Sequence, residues 1–198
     1  MDGPQVFLDE GNAALAVRLA NHLDESFVGK LRIALSQPTF DLHGKLPNYK
    51  GKFDALISGH YTAAVILHDQ ALTLAQFEPK RYEDPKLRRA AAEQVEITAD
   101  PKLSGVQAIA EVEMSDGSKL SARCDHPRGS PENPLSRTQI EMKFRTYGKI
   151  RLTDGQIKSV VAMVSELENL SSARELIDML RVAPRAQAER ASRAASMH

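Results

Sequence analysis

Two alternating runs that meet at Asp116-Gly117 constrain this chain more than any other feature. Ala108, Ala110, Val112 and Met114 alternate with Ile109, Glu111, Glu113 and Ser115. Beyond the dipeptide, Leu120, Ala122 and Cys124 alternate with Lys119, Ser121, Arg123 and Asp125. A period of two sends successive side chains to opposite sheet faces, and Asp-Gly supplies the positive φ of a type I′ turn. The segment reads as an antiparallel hairpin. Lys30 to Leu35 and the Val95–Ile97 stretch share the period, so a sheet of about four strands is expected.

The remaining patterning is helical. Gly11 to Leu23 carries Leu15, Leu19 and Leu23 at helical spacing, whereas Gln37 to Lys52, with two prolines and two glycines, reads as a loop. From Phe53 to His68 one stripe holds Phe53, Leu56, Ile57, His60, Tyr61, Ala64, Leu67 and His68, which predicts a single helix. Asp84-Pro85 is a helix start, because Asp accepts from free backbone N–H groups and Pro suits the first turn; that helix should end near Glu93. Ser136 with Gln139, Thr153 with Gln156, and Ser172 with Glu175 each fit a capping box. The first of these helices is expected to end near Lys143-Phe144. The second presents Ile157, Val160, Val161, Val164 and Leu167 on one face, and the third carries Leu176, Ile177 and Leu180. Residues beyond Pro184 are rich in Ala and Arg and are expected to form a flexible tail. The fold class is α+β, without the regular βαβ alternation or the glycine-rich loop of nucleotide folds.

Charge and composition narrow the function classes. The 26 basic and 26 acidic residues balance, which removes the long-range attraction of a general nucleic-acid or membrane-surface binder. No run is apolar enough for a membrane span and the N-terminus lacks a secretory pattern, so a cytoplasmic protein is expected. The single cysteine, Cys124, leaves no internal disulfide. Cys124 and His126 share a strand face but supply two ligands where a site needs three or four. None of the six histidines has zinc-helix spacing, so no metal or other cofactor is expected.

Two places have the residue types for chemistry. His60 and Tyr61 lie on the apolar stripe and face either the interior or a cleft. An imidazole titrating near neutrality and a phenol that donates or accepts both suit acid–base work; packing with satisfied polar tips is the alternative. The second place is Arg128-Gly129-Ser130-Pro131-Glu132-Asn133-Pro134-Leu135-Ser136, a Gly/Pro turn running into a capped helix.

That stretch, with Asp116-Gly117 before it and Lys143-Phe144 after it, resembles the C-terminal part of the MmgE/PrpD family. Ser58-Gly59-His60-Tyr61 within Lys52 to Leu67 is similar to the family's Ser-x-x-Tyr segment. The family includes 2-methylcitrate dehydratase, cis-aconitate decarboxylase and iminodisuccinate epimerase. The resemblance implies an α+β lid domain over 27–149, preceded by a helical segment at 1–26 and followed by helices at 150–183 and a tail at 184–198. It implies lyase or isomerase chemistry on small polycarboxylic acids, with Tyr61 and His60 as catalytic candidates and Arg128 and Lys143 as substrate-binding candidates. The family's Lys-x-Tyr-Pro…His element has no match between Met1 and Phe27, so the chain is expected to be catalytically incomplete alone. Its expected partners are a second copy or a separate helical-domain chain, with neither nucleic acid nor membrane. The alternative is a non-catalytic interaction or regulatory module that reuses the lid fold.

Overall fold

The computed structural model describes residues 29–46, 48–69, 71–114 and 117–181. The helix expected at 11–23 and the tail expected at 184–198 lie outside the described residues. The chain divides into two compact units at Pro134/Leu135.

The first unit is built on a four-stranded sheet of order β2-β1-β3-β4: β1 Leu31–Leu35, β2 Val95–Ala99, β3 Ala108–Glu113 and β4 Lys119–Cys124. β1 pairs parallel with β2, Leu31 opposite Val95, and antiparallel with β3, Leu31 opposite Val112. β3 pairs antiparallel with β4, Val112 opposite Leu120. The parallel pair needs a long crossover. It is supplied by α1 Gln37–His43, α2 Lys52–Ile57, α3 Gly59–Asp69, a 3₁₀ turn Leu74–Phe77, α4 Pro79–Tyr82 and α5 Pro85–Glu93. One sheet face buries Leu31, Ile33, Leu35, Val95, Ile97, Ala108, Ala110 and Val112, as the alternation requires. α3 and α5 pack on each other and on β2. On the opposite face Arg32 spans three strands, 3.5 Å from Glu96 and 3.1 Å from Glu113.

Three local expectations change. The connection between β3 and β4 runs from Met114 to Ser118, one residue longer than a type I′ turn. Gly117 takes φ +80 and its N–H bonds the Met114 carbonyl at 3.0 Å, while Met114 N–H bonds the Ser118 carbonyl at 2.9 Å. The expected loop after β1 contains α1. Its Pro38 sits in the first turn, where a missing N–H costs nothing, and Ser36 and Thr39 hydroxyls donate to the Gly105 carbonyl at 2.5 and 3.0 Å. The stripe at 53–68 is two helices, α2 and α3, because Ser58 is extended (φ −83, ψ 114). Phe53 is accordingly 69 % exposed while Tyr61 is fully buried.

The second unit holds α6 Arg137–Gly148, α7 Asp154–Ser165, a 3₁₀ turn Leu167–Asn169 and α8 Ala173–Met179. Ser136 and Thr153 form complete capping boxes with Gln139 and Gln156. The third box is half made. Ser172 accepts from Arg174 N–H at 3.2 Å, but the Glu175 carboxylate is bound by the Ser171 hydroxyl. α6 runs one turn past Lys143-Phe144 and ends at Gly148, where a Cβ would stand 3.3 Å from Ile157 Cγ1.

Candidate active site

The site is built outward from Ser58. Its hydroxyl, 2 % exposed with its residue, accepts from Tyr61 N–H at 3.1 Å and so caps the first turn of α3. Gly59 follows, where a side chain would crowd its neighbours. A Cβ there would lie 2.8 Å from Ile97 Cδ1 and 3.0 Å from the His43 carbonyl oxygen. The close approach is tied from the other side as well, since His43 Nδ1 bonds the Ile57 carbonyl at 2.7 Å. The Ser-Gly pair therefore presses the start of α3 against β2 and α1, and it places the next two side chains.

Tyr61 points inward. Its ring packs 5.8 Å from Tyr49 and 5.9 Å from Phe77, and its hydroxyl donates to the Gln76 carbonyl at 2.5 Å. Burial pushes its ionisation well above the ordinary tyrosine range. Gln76 is itself fixed: its side chain accepts from Thr73 N–H at 2.9 Å and donates to Asp69 at 3.2 Å. Asp69 pairs with Arg81, whose guanidinium also lies 3.3 Å from Asp84, and Asp84 caps α5 through Lys86 N–H at 2.8 Å. Tyr61 thus ends a polar chain that joins α3, α4 and α5.

His60 is different. It is 7 % exposed, and its Nδ1 is buried without a hydrogen-bond partner. Burial lowers its proton affinity, so the imidazole is neutral at pH 7 and can accept a proton. An unpaired polar atom inside a protein requires a reason, and a catalytic role is one of the recognised reasons.

Tyr49 was missed at the sequence level. It is the positive-φ non-glycine residue among those described, at φ +50, and its hydroxyl is buried without a partner. The Arg88 guanidinium sits 4.8 Å from the ring centroid and donates to the Tyr49 carbonyl at 3.4 Å. The only sequence hint was the turn-forming Pro47-Asn48 before it.

The two other candidates sit on other elements. Arg128, after β4 on the sheet edge opposite β2, donates to Asn133 at 3.0 Å. Asn133 in turn binds the His126 carbonyl at 3.0 Å and accepts Gly129 N–H at 2.8 Å, with Gly129 at φ +97. Lys143 is half-buried on α6 in the second unit. Among the described residues, no three His, Cys, Asp or Glu side chains are grouped to hold a metal ion.

A family model for the MmgE/PrpD C-terminal domain matches residues 12–168. The chain belongs to the MmgE/PrpD family. It is 26 % identical over 131 residues to cis-aconitate decarboxylase of Homo sapiens, a match covering 65 % of this chain and 27 % of that protein. The Mus musculus cis-aconitate decarboxylase matches at 26 % over 147 residues, 73 % of this chain and 30 % of the relative. The chain thus spans less than a third of the length of these curated relatives. In this MmgE/PrpD domain the Ser-x-x-Tyr element is a cap, a close approach and a buried phenol, and the residue between them that retains an unpaired polar atom is His60. No helix among the described residues is long and apolar enough to cross a membrane.

Proposed function

We propose that this chain is the C-terminal-domain part of a cytoplasmic lyase or isomerase acting on small polycarboxylic acids. In this reading His60 carries a proton and Tyr61 holds the first turn of α3 in place. The observation that carries it is the buried, partnerless Nδ1 of His60 in a domain related to cis-aconitate decarboxylase. Removing a proton beside a carboxylate takes a base, an acid and cations that hold the other carboxylates. His60 meets the first need. Asp69 and Asp84 are engaged with Arg81, and Arg128 with Asn133. In this reading the remaining groups come from a separate helical-domain chain or a second copy, and Arg128 and Lys143 contribute only once that partner is in place.

The test is an assay of the purified chain on 2-methylcitrate, cis-aconitate and iminodisuccinate, alone and with the helical domain of a family relative added. The expected result is no turnover alone, and turnover on addition that is lost in His60→Gln. Robust turnover by the chain alone contradicts incompleteness. Turnover on addition that survives His60→Gln contradicts the role of His60. No turnover in either case favours the non-catalytic module.

A further inference from the structure

A concavity of about 390 Å³ lies on the first unit, where the end of α3 meets α5. His68 lines it from α3, and Lys86, Arg89, Ala90 and Glu93 line it from α5, with Gln94 just past that helix. Ala90 is buried at its base, and His68 Nε2 lies 3.2 Å from Gln94 Oε1, which links the two helices across one end. Lys86 and Arg89 stand one turn apart, and neither side chain has an ion pair or a hydrogen bond among the described residues. The neighbouring cations are engaged: Arg81 with Asp69 and Asp84, Arg88 with the Tyr82 and Tyr49 carbonyls. The position does not suit these two charges either. The early turns of a helix favour acidic side chains, yet the first turn of α5 carries none and both cations lie in its first half. Two positive charges that neither a partner nor the helix dipole stabilises, side by side in a concavity, are complementary to an anion.

We infer that this concavity binds a compact dianion with oxygen acceptors, either a phosphate group or a short dicarboxylate, between Lys86 and Arg89. The ammonium supplies a point charge and the guanidinium a fork of parallel donors, and both suit oxygens of this kind. Glu93 limits the size. It lines the same concavity one turn beyond Arg89, so a longer polyanion would meet its carboxylate, whereas a compact one stays at the cationic end. His68 lies about 12 Å along α3 from His60 at the usual rise per residue. The inference uses neither the chemistry proposed for His60 nor the second unit.

NMR of the full chain, titrated separately with inorganic phosphate and with malonate at constant ionic strength, tests it, with chloride as the control. The Arg89 Nε–H and Gln94 side-chain amide signals are expected to shift in a saturable, one-site manner with at least one of the two dianions and not with chloride. Saturation by phosphate alone identifies a phosphate group, by malonate alone a dicarboxylate, and by both a site that reads only charge and size. Lys86→Gln and Arg89→Gln, both at exposed positions, should keep the far-ultraviolet circular dichroism and each weaken binding at least ~10-fold, the loss of one charge-assisted hydrogen bond. Glu93→Gln should tighten it, and Lys158→Gln on α7 should leave it unchanged. Shifts that do not saturate with either dianion, or that chloride reproduces, overturn the inference. So does a loss in Lys158→Gln as large as that in Arg89→Gln, and weaker binding in Glu93→Gln would contradict the size limit.

Discussion

The Tyr61 hydroxyl donates to the Gln76 carbonyl at 2.5 Å, a bond that ties α3 to the 3₁₀ turn fifteen residues later. Because Gln76 also caps that turn and binds Asp69, the phenol anchors a network and not a single contact. Tyr61→Phe keeps the ring in its aromatic cluster and removes only the donor. It should destabilise the chain by about 1–2 kcal/mol, the usual cost of leaving a buried acceptor unpaired. Urea titration followed by circular dichroism measures this; a loss under a few tenths of a kcal/mol would show that the bond is weak.

Gly59→Ala sets a Cβ against Ile97 Cδ1 and the His43 carbonyl. Overpacking of this kind costs about 1–3 kcal/mol. Ile97→Val removes the Cδ1 atom, so the double variant should recover part of the loss despite the smaller side chain. A double-mutant cycle in denaturant reads the coupling, and strict additivity would mean that the clash is relieved elsewhere.

Tyr49→Phe should behave in the opposite sense to Tyr61→Phe. The Tyr49 hydroxyl is buried without a partner, so deleting it removes a desolvation penalty, while the ring contact with Tyr61 and the Arg88 guanidinium above it are retained. Thermal melts of the two variants side by side should show Tyr49→Phe at or above wild type and Tyr61→Phe below it. The reverse order would contradict the hydrogen-bond assignments.

These contrasts mark where the sequence was legible. Strands came through because apolar alternation decides which face is wetted, and Leu31, Ile33 and Leu35 were readable from their own spacing. Ser136 and Thr153 were equally readable because a capping box lies within four residues. The break at Ser58 was not readable from periodicity, since the stripe continues through it; the cause is the close approach of Gly59 to Ile97 and His43, both distant in the chain. α1 was hidden by Pro38, read as a breaker where it occupies a first turn. At the site, spacing placed His60 and Tyr61 side by side, but only packing separates an imidazole with an orphan nitrogen from a phenol with a partner. Tyr49 carried almost no local signal, because its importance comes from Tyr61 and Arg88.

The pH dependence of stability should carry a His60 component. Burial lowers the folded-state pKa of this imidazole below its ordinary value of 6.5. The unfolded chain therefore binds more protons as pH falls below that value, and the folded state loses stability on acidification. Above it, both states are neutral and the component is flat. His60→Leu should flatten the decline between neutral pH and the lower folded-state pKa, as read from denaturation midpoints at a series of pH values. An unchanged slope would show that His60 does not titrate differently on folding.

The most direct measurement is the titration of the His60 imidazole itself, followed by two-dimensional NMR of the ring protons and nitrogens with His60→Gln as the assignment control. A neutral ring with a pKa below 6.5, unbonded at Nδ1, is the predicted result. A pKa at or above that value, or an Nδ1 proton held in a persistent hydrogen bond, would contradict the assignment of His60 as the proton carrier.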